Sequence, residues 1–104
     1  MKFISNRDVA IGVSDIEAAS SFYGKTLGFK TTREEQDLRL YETGNFTLYV
    51  EKTLPHTPVP SLTVENLAEA KRYLTENDCE ILVEREKSLY FRDPLGIIWD
   101  IIEN

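Results

Sequence analysis

An α+β fold of two tandem βαβββ modules, forming an incomplete eight-stranded barrel with the helices outside, is predicted from three observations. A pattern recurs at a spacing of about fifty residues, the mark of a structural repeat. Each copy passes from strand period to helix period and back to strand period. A proline-rich stretch, "LPHTPVP" (54–60), lies between the copies. The chain reads as a single domain of 104 residues, with module one at 1–53, a linker at 54–60 and module two at 61–104.

Module one begins with "VAIGV" (9–13), which alternates like a half-buried strand. A helix follows in "SDIEAASSFYGKTLGF", where Ser14 and Glu17 stand at capping-box spacing. Ile16, Ala19, Tyr23 and Leu27 then share one helical face, and Gly28 suits the stop. Three strand-like runs complete the module: Phe29 to Glu34, Leu38 to Tyr41 and Phe46 to Glu51. Module two repeats the order. Val64 falls on Val13, Asn66 on Asp15 and Leu67 on Ile16, an offset of 51. Asn66 and Glu69 offer the second helix start. Strands are expected at Glu80 to Glu84, Leu89 to Arg92 and Ile97 to Ile102, with Gly96 falling on Gly44 and "DPLG" forming a tight turn. Three prolines in seven residues keep 54–60 out of an inner strand.

Composition narrows the function. A formal charge of −6 argues against nucleic acid, whose phosphates require Lys and Arg. The apolar runs are too short for a membrane span, and "MKFISNRD" turns polar too soon for a signal peptide, so no membrane partner is expected. A lone cysteine, Cys79, forms no internal disulfide and fits a cytoplasmic location. It opens a strand and is expected to be packed rather than reactive. "GKT" (24–26) lacks the glycine spacing of a phosphate loop and falls at a helix C-terminus. "NFT" (45–47) is a glycosylation sequon without consequence in a chain that is not secreted.

The segments "VSDIEAASSFYGKTLGF" and "YFRDPLGIIWDIIE", with the internal repeat, resemble the vicinal oxygen chelate superfamily. That group includes glyoxalase I, extradiol dioxygenases, and fosfomycin- and bleomycin-resistance proteins; the pattern is nearest the small metal-free bleomycin-resistance-like members. The resemblance implies a concave cavity to which the first and last strands of each module contribute one position each. In metal-dependent relatives His, Glu or Gln fill these positions. Here the resemblance carries them onto Asp8, Leu48, Val59 and Asp100. Two of the four cannot bind metal, so no cofactor is expected. If a divalent ion such as Mg, Mn or Zn does bind, Asp8 and Asp100 are its candidate ligands. His56, the only histidine, is expected in an exposed linker rather than at a metal.

Strand parity fills in the lining. It turns Asp8, Ala10 and Gly12 inward, with Val59, Ser61 and Thr63 matching them. It also assigns Phe46, Leu48, Val50, Ile98, Asp100 and Ile102 to the cavity, leaving Trp99 under a helix. Tyr90 and Arg92 share a face assigned to the cavity, while Phe22, Tyr23 and Tyr73 are read as helix–sheet core. The ligand-binding set is then Asp8, Phe46, Leu48, Val59, Ser61, Tyr90, Arg92 and Asp100; no catalytic residue is assigned. The expected function is metal-free binding of a small organic molecule, with cationic ligands favoured by the two acids. The alternative is a divalent-metal-dependent lyase, isomerase or dioxygenase of the same superfamily. A metal-free enzyme working through the two carboxylates is a further variant. The resemblance also implies a homodimer.

Overall fold

The computed structural model describes every residue from Met1 to Asn104. Two compact units divide it. Arg7–Pro58 form one, and Met1–Asn6 pack with Val59–Asn104 to form the other. The elements are β1 (Ile4–Val13), α1 (Ile16–Ala19) running into a π-helical segment (Ser20–Thr26), β2 (Lys30–Glu35), β3 (Leu38–Glu42) and β4 (Thr47–Lys52). β5 (His56–Val64), α2 (Leu67–Glu76), β6 (Glu80–Glu84), β7 (Ser88–Arg92) and β8 (Ile98–Glu103) follow. The strand order is β2-β3-β4-β1 in module one and β5-β8-β7-β6 in module two. In both, the first and last strands pair in parallel and the others antiparallel. Each copy is therefore a βαβββ unit, and the chain is α+β.

One face of each sheet packs under its helix. In module two Leu67, Ala70 and Leu74 of α2 cluster with Val64, Leu89, Phe91 and Ile101, and Leu62 and Trp99 pack against them. In module one Ile16 and Ala19 cluster with Ile11, Tyr41, Leu48 and Val50. Successive strand side chains alternate between faces, so these residues identify the opposite, helix-free faces as well.

The helices start as their local chemistry requires, with one correction. The cap of α1 is Asp15 rather than Ser14: its Oδ1 accepts from the backbone N–H groups of Glu17 and Ala18 at 3.1 and 3.0 Å. Asn66 caps α2 by accepting from Glu69 N at 2.8 Å, as its spacing predicts. Both helices end on a left-handed residue, Gly28 (φ 72°) in module one and Asp78 (φ 65°) in module two. Thirteen steps separate Asp15 from Gly28, against twelve from Asn66 to Asp78. The extra residue is absorbed by the π-helical segment, whose wide turn closes with Leu27 N bonded to Phe22 O at 2.9 Å.

That insertion corrects the expected helical face. Ile16 and Ala19 are buried and Tyr23 packs against them, but the wider turn rotates Leu27 out, leaving it 48% exposed. Phe22 and Tyr73 are likewise about half exposed rather than core, and Tyr73 lies 6.2 Å from the Phe3 ring. A second correction concerns the joint. Strand β5 begins at His56, inside the stretch read as a linker, although its ladder with β8 runs only from Ser61 to Val64, beyond the last proline. His56 is half-buried, not an exposed loop residue.

Candidate functional site

The helix-free face of module two carries a hydrogen-bonded polar array. Asn6 Nδ2 donates to Ser61 Oγ at 2.9 Å and to Thr63 Oγ1 at 3.1 Å. Ser61 Oγ in turn donates to Asp100 Oδ2 at 2.9 Å. The parallel register sets Ser61 beside Asp100, and the antiparallel register sets Tyr90 on its other side. Ser61 is buried, so the carboxylate is held by a hydroxyl whose own orientation Asn6 fixes. Val59 shares the strand parity of Ser61 and is 3% exposed, with no donor atom. Arg92 lies on the same face, but its guanidinium is committed to Glu80 at 2.6 Å, opposite it on β6. Trp99 packs on the helix side, as parity predicts, and its indole Nε1 donates to Asp93 Oδ2 at 3.0 Å.

In module one the helix-free face carries Asp8, Ala10 and Gly12 from β1 and Thr47, Tyr49 and Glu51 from β4. Burial pushes the Asp8 carboxyl above its usual range, while the charge of Arg7 pulls it down. Arg7 itself ties the β3–β4 loop, reaching Glu42 Oε1 at 2.9 Å and the carbonyls of Gly44 and Asn45. Gly12 is covered by the His56 ring: a Cβ added there would fall 2.5 Å from His56 Cδ2. His56 Nδ1 donates to its neighbour Thr57 O at 2.8 Å.

Three predicted lining residues move. Leu48 and Val50 do not share a face with Asp8; they are buried in the cluster beneath α1. Phe46 lies in the bend before β4, 37% exposed, where its carbonyl accepts from Thr43. The error is one residue of register. Matching Gly44 to Gly96 overlooks loops of unequal length, four residues between Glu42 and Thr47 and five between Arg92 and Ile98. Ala10 pairs with Tyr49 as Ser61 pairs with Asp100, so Tyr49 is the module-one counterpart of Asp100. The offset of 51 that relates Val64 to Val13 also relates these two, and would have found Tyr49. Asn6 lies before the repeat, and nothing in its surroundings signals its role.

The structural register thus changes the four positions at which the resemblance places metal ligands to Asp8, Tyr49, Val59 and Asp100. No group of three or more His, Cys, Asp or Glu side chains stands close enough to hold a metal ion. Module one contributes a carboxylate and a phenol, and module two a carboxylate and an apolar side chain, at positions where the metal-dependent relatives carry His, Glu or Gln.

The fold and this register define a paired-module protein, and comparison with known proteins gives its family. Residues 7–101 match the Glyoxalase/Bleomycin resistance protein/Dioxygenase superfamily, and the chain belongs to it. Among solved structures, a hypothetical protein from Bacillus halodurans C-125 matches with a TM-score of 0.71 at 15% identity, covering 99% of this chain and 94% of that one. Homoprotocatechuate 2,3-dioxygenase from Arthrobacter globiformis matches with a TM-score of 0.73 at 19% identity, over 99% of this chain and 37% of the dioxygenase. An NAD-dependent benzaldehyde dehydrogenase structure from Legionella pneumophila matches with a TM-score of 0.72 at 14% identity, over 91% and 96% of the two chains. At such identities the likeness is one of fold alone. No curated protein sequence matches the chain. No helix is long and apolar enough to cross a membrane.

Proposed function

We propose that this chain binds a small organic molecule, without a metal, through the helix-free faces of its strands. The observation that carries the reading is the Asn6–Ser61–Asp100 array. It orients a carboxylate at a position where metal-dependent relatives place a ligand to the ion, and it does so with hydroxyl and amide partners. An acid held this way is suited to accept hydrogen bonds or pair with a positive group. On this face of module two Val59 and Tyr90 are the further lining residues of the proposal, and on module one's own helix-free face Asp8 and Tyr49 are. The molecule acts in the cytoplasm as a homodimer.

Calorimetric titration against cationic glycopeptides and a broad metabolite panel tests this reading. A saturable ligand whose affinity falls about ten-fold or more in Asp100→Asn is the expected result, in keeping with loss of a charge-assisted hydrogen bond. No binding to any of the panel overturns it. The second reading, a divalent-metal-dependent enzyme, draws on the fold shared with extradiol dioxygenases. Metal content of untagged protein separates the two, since stoichiometric metal lost in Asp8→Asn would favour the enzyme.

A further inference from the structure

We propose that module one carries a separate ligand seat beside α1, which receives the phenyl ring of a small molecule bearing no negative charge. It lies apart from the Asn6–Ser61–Asp100 array and does not depend on the binding reading above.

The seat is a groove of about 380 Å³ beside α1, whose lining includes Val13, Ala18, Ala19, Phe22, Tyr23 and Pro55. Its volume falls within the range of small-molecule sites. Phe22 and Tyr23 meet edge to face with ring centroids 5.3 Å apart, so one wall is aromatic. Phe22 is 49% exposed, a large apolar surface for water to cover.

The internal repeat shows what this groove fits. The offset of 51 relates Ala19, Phe22 and Tyr23 to Ala70, Tyr73 and Leu74, and it relates Leu54 to Phe3. Phe3 packs against the cluster that contains Ala70 and Leu74, and its ring lies 6.2 Å from that of Tyr73. Leu54 instead stands 84% exposed and takes no part in the cluster of module one. The two grooves differ accordingly. The one beside α2 is lined by Val64, Asn66 and Glu69 and stops short of Ala70, Tyr73 and Leu74, where Phe3 packs. Its counterpart beside α1 continues to Ala19, Phe22 and Tyr23. The protein thus seats a benzyl side chain of its own in one module and leaves the matching place in the other to a ligand.

Charge narrows the ligand further. Asp15 is the only charged residue of the lining, so an anionic substituent is repelled and a hydroxyl or amine is not. A planar ring against Phe22 also gains an aromatic contact that a saturated ring of the same size does not.

The test titrates benzyl alcohol into the labelled full chain and follows amide chemical shifts, with cyclohexylmethanol and benzoate as controls. Saturable shifts at Ala18, Ala19 and Phe22 are the expected result. Cyclohexylmethanol should bind about two- to ten-fold more weakly, the size of an aromatic pair, and benzoate should be weaker than benzyl alcohol. Leu54→Phe supplies the ring that Phe3 supplies in module two and should abolish the shifts. Ala18→Leu, on the exposed side of α1, should block the groove with the fold intact. Phe3→Leu should add a second set of shifts at Ala70 and Tyr73. A dispersed spectrum shows that each variant is folded. The proposal is overturned by the absence of saturable shifts, by equal binding of the saturated ring, or by undiminished binding in folded Leu54→Phe. A ligand that binds the helix-free faces while benzyl alcohol fails here would remove this seat and leave the binding reading standing.

Discussion

The two modules share a topology but are held together by different chemistry, and one strand position shows it. Arg39 of β3 and Leu89 of β7 occupy equivalent places, and both are buried on the helix side of their sheets. Leu89 is 2% exposed within an all-apolar cluster. Arg39 instead donates through Nε to Ser20 Oγ at 3.0 Å and through its terminal nitrogens to Glu17 Oε1 at 3.1 Å and the carbonyls of Leu38 and Glu35. It is also paired with Glu34 at 3.2 Å. The guanidinium thereby ties β3 to Glu17 in α1 and to Ser20 at the start of the π-helical segment. The same βαβββ plan therefore tolerates either an apolar or a charged key residue, provided every polar atom is satisfied; no buried side-chain nitrogen or oxygen in the chain lacks a partner.

Exchanging the two keys should break this equivalence unequally. Leu89→Arg places a charge in an all-apolar cluster where the acid opposite it on β6, Glu84, is already paired with Lys71, and is expected to cost about 3–5 kcal/mol. Arg39→Leu removes a buried cation whose acidic partners, Glu17 and Glu34, are exposed at 81% and 66% and can return to water. Its expected effect is within about 1 kcal/mol of neutral. Urea unfolding of both variants decides the matter. Similar losses in the two would mean that Arg39 organises the π-helical segment rather than filling a space.

A second exchangeable position sharpens the contrast on the helix-free faces. Gly12 and Thr63 correspond at the offset of 51, yet Thr63 Oγ1 accepts from Asn6 while Gly12 lies beneath His56. A methyl at Gly12 would meet His56 Cδ2 at 2.5 Å, Leu54 O at 2.6 Å and Thr53 Cγ2 at 2.9 Å. Gly12→Ala should therefore cost about 1–3 kcal/mol through overpacking. Truncating His56 in the same molecule should recover only part of this in a double-mutant cycle, because the Leu54 carbonyl is backbone and remains in the way. Full recovery would mean that the joint at 53–55 moves freely and that the histidine alone shapes this face.

Much of this is legible in the sequence. The repeat, the tight turn that Gly96 closes, the cap at Asn66 and the placement of Trp99 under a helix follow from period and turn chemistry. What escaped was length. An inserted residue in one helix and a loop one residue longer in the other module shift the register by single steps, and a single step in a strand moves a side chain to the other face. That is why Leu48 stood in for Tyr49. Asn6 escaped for another reason: its partners, Ser61 and Thr63, lie 55 and 57 residues away along the chain. No local pattern reports such a contact.

The modules also differ in how they answer acid, and this is the smallest expected effect. In module two, Asp93 is held below its usual range first by the indole N–H of Trp99 and then by the backbone N–H of Ile97. Glu103 is held down by the Leu67 N–H at the start of α2 and by Lys87. Both groups contribute stability that is fully present above their unfolded values of 3.8 and 4.5 and is lost as pH falls through their lowered folded values. Asp8 in module one has the opposite sign. Its folded form holds the proton more tightly than the unfolded chain, so its contribution is unfavourable above the raised value and vanishes below 3.8. In urea titrations across the acid range, Asp93→Asn should lower stability at neutral pH and flatten the acid limb. Asp8→Asn should raise stability slightly at neutral pH and leave the limb steeper, since the group that gained on protonation is gone. If Asp8→Asn instead destabilises the neutral protein, the carboxylate is held by favourable contacts that outweigh its burial. The helix-free face of module one would then be built around its charge, as the face of module two is built around Asp100.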